Sequence, residues 1–126
     1  MNTTDTEIHG YLIDPFAETV TNVAYEGDFP SSKVIQLGLL IEHIKASTFT
    51  CVYLENRDAI FIDGEGLLGK PQRFFTYKGY HEPLAGRGLV LGSNAEGDIT
   101  SPKITMEKLT ELISFGDVWD LMKKAG

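Results

Sequence analysis

The sequence predicts a mainly antiparallel α+β domain, and three observations predict it. Short alternating or aliphatic runs recur with turn signals between them, helical periodicity is confined to a few stretches, and the order of elements lacks regular βαβ alternation. The expected architecture is a sheet of five to six strands with one central helix and one or two C-terminal helices packed on it.

Ile8-His-Gly-Tyr-Leu-Ile13 reads as the first strand, closed by the turn signal Asp14-Pro15. Thr19-Val-Thr-Asn-Val-Ala-Tyr25 alternates, carries β-branched residues and pairs with it across a short loop. Ser31 or Ser32 after Pro30 is a helix N-cap, because a serine hydroxyl satisfies a free N–H of the first turn. Val34, Leu37, Ile41 and Ile44 then recur at spacings of three and four with Leu40 beside them, which predicts the central helix over 33–46. Gly38 within it weakens helix propensity and marks close packing against the sheet. Three strands follow at Phe49–Leu54, Ala59–Ile62 and Arg73–Tyr77, with Asn56-Arg-Asp58 as a hairpin turn and Asp63-Gly-Glu-Gly66 closing the second. Leu84–Leu91 supplies a further strand, interrupted by Gly86 and Gly88. Thr105 is the expected N-cap of a helix with Met106, Leu109, Leu112 and Ile113 on one side. Gly116 stops it, and Asp117 caps a last short helix through Val118, Trp119, Leu121 and Met122.

A chain of 126 residues fits a single domain, 1–126, large enough to bury a core without metal or disulfide support. Met1–Thr6 is polar and expected to be disordered. One cysteine, Cys51, excludes an internal disulfide and a cysteine-rich zinc site. No apolar run approaches the about 18 residues of a membrane span, and no signal peptide is expected, so the reading is cytoplasmic. A net charge of −7 disfavours binding to a nucleic-acid backbone. DNA mimicry would use such acidity, but the 18 acidic residues are scattered rather than gathered in a run.

Glycine density singles out the block from Asn56 to Asp98 as the place for a site, since glycine serves left-handed turns and close backbone approach. Gly86-Arg-Gly88-Leu-Val-Leu-Gly92 only partly matches a dinucleotide fingerprint: three residues rather than two separate Gly88 from Gly92, and no helix opens on it. No P-loop occurs either. What remains is a softer cradle for an anion, formed by the backbone at Gly86, Gly88 and Gly92, the guanidinium of Arg87 and the neighbouring His81. The competing reading is a bulged strand whose Arg87 pairs with an acid or faces solvent. Asp58, Asp63, Glu65 and Glu82 offer hard ligands or an acid/base pair, but their spacing matches no EF-hand and hairpin-turn acids explain them as well. Neither a metal nor a cofactor is expected. His9, His43 and His81 are too dispersed for a zinc helix, and Cys51 reads as a buried thiol on a strand. Phe74, Phe75, Tyr77 and Tyr80 form a core cluster or, with Trp119, anchors for a partner or a homo-oligomer.

Ile13-Asp14-Pro15-Phe16 with Val20 and Tyr25-Glu-Gly-Asp28, Asp58–Asp63 with Gly66-Leu-Leu68, and above all Pro83–Gly92 with Asp98 and Ser101-Pro102-Lys103 resemble a small domain-of-unknown-function family carried by bacteria, phages and plasmids. The resemblance runs from Ile13 to the helix after Thr105 and implies no agreed activity. It implies a setting: a cytoplasmic accessory protein of a mobile element, in a bacterial or phage-infected cell. The expected function is therefore non-enzymatic binding of a host or defence partner, with a nucleotide or other small anionic ligand as the alternative. An enzymatic role would rest on His81 with Asp63 or Glu65.

Overall fold

A computed structural model describes residues 7–26, 49–63, 73–80 and 83–116. The helix expected over 33–46, the Gly64–Gly66 turn, His43, His81, Glu65, Glu82 and everything from Asp117 onward lie outside the described residues.

The main sheet contains β1 (Glu7–Asp14), β2 (Thr19–Glu26), β3 (Phe49–Tyr53), β4 (Ala59–Asp63), β7 (Gly88–Ser93) and β8 (Ile99–Thr100). Its order is β2-β1-β7-β4-β3, with β8 paired to the end of β7, and every pairing is antiparallel. An antiparallel sheet of five to six strands is thus present. A second sheet departs from the expectation: β5 (Phe74–Tyr77), flanked by β6 (Leu84–Ala85) and β9 (Ile113–Gly116).

Strand β7 is the spine, because β1 and β4 occupy its two sides. Leu89, Val90 and Leu91 are at most 1% exposed, which is why this strand is a continuous apolar run rather than an alternating one. Opposed residues of neighbouring strands share a face. On one face Val52, Ile60, Val90, Tyr11 and Ile13 pack against Phe75, Leu84, Leu109 and Ile113 of the second layer to form the core. Phe75 is fully buried there, a burial that stabilises by about 1.5–3 kcal/mol. Phe74, Tyr77 and Tyr80 are half-buried, and Tyr77 and Tyr80 pack against the same core.

Helix α1 (Met106–Leu112) starts where expected, with the Thr105 hydroxyl accepting from the Lys108 N–H at 3.1 Å. It ends earlier than expected. Ile113 is extended, at φ −102° and ψ 136°, and opens β9 instead of continuing the apolar helix face. Strand pairing wins over helical period because Ile113 and Phe115 gain Tyr77 and Phe75 as cross-strand partners. Gly116, expected as a helix stop, is the strand residue opposite Phe74.

The expected Leu84–Leu91 strand is two strands in different sheets. Gly86, at φ +84°, and Arg87 carry the chain from β6 in the small sheet to β7 in the large one. Gly88 faces the layer between them, where an added Cβ would lie 2.9 Å from both Ile60 Cγ2 and Phe75 Cζ.

Candidate functional site

The described residues offer one organising polar centre and two hollows beside it. The centre is Asp58, which follows the 3-10 turn Glu55–Arg57 linking β3 to β4. In that turn Asn56 and Arg57 both adopt left-handed backbone, at φ 61° and 68°; for a residue such as Arg this costs about 1–2 kcal/mol. The turn is held by the Leu54 N–H donating to the Asp58 carbonyl at 2.8 Å.

The Asp58 side chain is no solvated hairpin acid. It is 1% exposed and points inward, accepting the Lys103 N–H through both carboxylate oxygens at 3.0 Å and the Ile104 N–H at 2.9 Å. Two further bonds tighten the junction: Lys103 Nζ donates to the Ser93 carbonyl at 2.9 Å, and Ser93 Oγ donates to the Arg57 carbonyl at 3.0 Å. A buried carboxylate is tolerated when backbone N–H groups replace its water. Asp58 thereby pins the segment that enters α1 onto the main sheet. Gly92 makes room for this, since a Cβ there would lie 2.6 Å from the Ser101 carbonyl and 3.0 Å from Asp58 Oδ1.

The residues expected to cradle an anion are placed as follows. Arg87 Nε lies 3.3 Å from Asp14 Oδ2, and the guanidinium stacks 4.7 Å from the Phe16 ring centre. Asp14 is itself oriented by accepting the Phe16 N–H at 2.9 Å. Gly86 and Arg87 form the crossover between sheets, whereas Gly88 and Gly92 border packed interior at separate places along β7. Gly86 donates its N–H to the Arg73 carbonyl at 2.8 Å, and an added Cβ there would meet nothing within 4 Å. Cys51 is half-buried rather than buried, and the His9 ring sits 5.5 Å from that of Tyr11. Among the described residues no three His, Cys, Asp or Glu side chains gather as a metal site.

The first hollow, of 280 Å³, opens between the β3–β4 turn and the start of α1. Leu54, Ile104 and Leu112 wall it, with Tyr77 inside and Glu55 and Lys108 contributing charge. Burial, and then the carboxylates of Glu55 and Asp58, push the Tyr77 phenol above its ordinary range. Burial and Asp58 do the same to Tyr11.

The second hollow, of 220 Å³, lies on the face of the main sheet opposite that of Ile60 and Val90. Ala59, Phe61 and Leu91 form its floor, Arg57 and Ile99 flank it, and Tyr53 stands over it at 80% exposure. Register explains the geometry: Tyr53, Ala59 and Leu91 oppose one another across β3, β4 and β7. Sequence reading placed partner anchors among Phe74, Phe75, Tyr77 and Tyr80 and overlooked Tyr53. A signal was available, because Val52 and Leu54 alternating inward on the same strand send Tyr53 outward.

Comparison of the chain with protein-family models, with curated proteins and with solved structures gives no significant match to any of the three. No helix among the described residues is long and apolar enough to cross a membrane.

Proposed function

We propose that this chain is a non-enzymatic binding protein that acts by occupying a protein partner, and that Tyr53 with the half-buried Phe61 and Ile99 beside it is the contact. One observation carries the reading. Tyr53 is 80% exposed at the rim of a hollow to which the half-buried Phe61 and Ile99 also contribute, an arrangement in which a tyrosine serves as a rigid amphipathic anchor. A host or defence factor as the partner and the cytoplasm as the setting are part of the proposal and rest on the sequence clauses alone, since no family model matches the chain. Affinity capture from a bacterial host lysate tests the contact. Wild-type protein is expected to retain one partner stoichiometrically and Tyr53→Asp to release it; a partner held equally by both, or none held by the wild type, speaks against the reading.

A nucleotide or other anionic small molecule is the second reading, favoured by the open backbone at Gly86 beside a guanidinium that is 37% exposed. An anion there has to displace Asp14 from Arg87, which weakens the case. Retention of such a ligand would be abolished by Arg87→Ala.

A further inference from the structure

The hollow between the β3–β4 turn and α1 has a charge pattern that selects a ligand class different from an anion. Its walls are apolar, provided by Leu54, Ile104 and Leu112 with the Tyr77 ring. Asp58 reaches it, but both oxygens of that carboxylate are taken up by the N–H groups of Lys103 and Ile104. The charge of Asp58 is felt at Tyr77, but the two charged side chains of the lining that are open to direct contact with a ligand are Glu55 and Lys108, of opposite sign. The contact of Lys108 Nζ with Glu111 is long, at 4.0 Å, and both side chains are more than 60% exposed, so it holds the ammonium only weakly.

A simple anion in this hollow would face Glu55, and a simple cation would face Lys108. A ligand carrying both charges satisfies each. The Tyr77 hydroxyl, protonated at physiological pH as an ordinary phenol is, adds a neutral group able to donate to a carboxylate or accept from an ammonium. At 280 Å³ the space falls just below the usual range of ligand pockets, about 300–1,000 Å³, which favours a metabolite smaller than a nucleotide. We propose that this hollow binds a free α-amino acid with an apolar side chain, its ammonium at Glu55, its carboxylate at Lys108 and its side chain against Leu54, Ile104 and Leu112. The inference is independent of the partner contact at Tyr53, which lies on the face of the main sheet opposite that of Ile60 and Val90.

Amide NMR titration of the full chain with phenylalanine and leucine tests it, with 2-phenylethylamine and 3-phenylpropanoate as analogues that each lack one charge. Saturable shifts centred on Tyr77, Thr105 and Leu112 are expected with an amino acid, and binding of each analogue about threefold weaker, the loss of one solvent-screened charged contact. Glu55→Gln and Lys108→Gln should each weaken amino-acid binding by a similar factor. Both replace exposed side chains, and an unchanged spectrum of the free variant verifies its fold. Absence of saturable shifts at millimolar phenylalanine and leucine overturns the proposal, as does equal binding of either one-charge analogue or indifference to both substitutions.

Discussion

Asp58 concentrates more of the local order than any other described polar side chain, because one carboxylate accepts from two backbone N–H groups far away in sequence. Asp58→Ala leaves those buried donors without a partner and is expected to cost about 2–5 kcal/mol, read as a lower denaturant midpoint. The glycines rank themselves by what surrounds them. Gly92→Ala forces a Cβ to 2.6 Å from a backbone carbonyl, an overpacking of about 1–3 kcal/mol. Gly86→Ala meets open space and carries only the strain of φ +84°, about 1 kcal/mol. Arg87→Ala removes an exposed pair and a ring contact, so its loss in thermal unfolding should stay below about 1.5 kcal/mol.

Tyr77 and Tyr11 set an alkaline limit at the same scale. Their folded-state values are raised, chiefly by burial, so folding favours the protonated phenol. That contribution is complete below the ordinary tyrosine value of about 10 and is lost as pH climbs through the raised folded values. Unfolding midpoints should therefore fall above about pH 10, and Tyr77→Phe should flatten the decline. An unchanged slope in that variant contradicts the assignment.

At the scale of elements, what was legible in the sequence was local. Strands β1 to β4 lie within a residue or two of their alternating patterns, and the Thr105 cap opens α1, because period and capping act between near neighbours. Illegible were the features decided by distant partners. Ile113–Phe115 reads equally as the end of a helix face, and only β5 across from it makes it a strand. The glycine clause was legible as a place where the backbone does something unusual, but not as a change of sheet at Gly86 with close packing at Gly88 and Gly92. Asp58 looked like any acid in a turn, since its N–H donors come from 45 and 46 residues away. The layer contact is itself testable: Phe75→Ala, which empties the fully buried position between the sheets, is expected to cost about 3–5 kcal/mol.

At the scale of the molecule, and among the described residues, a packed core on one face of the main sheet is set against a hollow with an exposed tyrosine at its rim on the other. The net charge of −7 favours approach to basic rather than acidic surfaces. The most direct test of partner binding is native mass spectrometry of the wild-type and Tyr53→Asp proteins, each purified gently from cells of the host type. The expected result is a complex with a second protein at fixed stoichiometry for the wild type and a bare mass for the variant. A wild-type protein that appears bare, or that carries only a few hundred daltons of small molecule, would contradict partner binding through Tyr53.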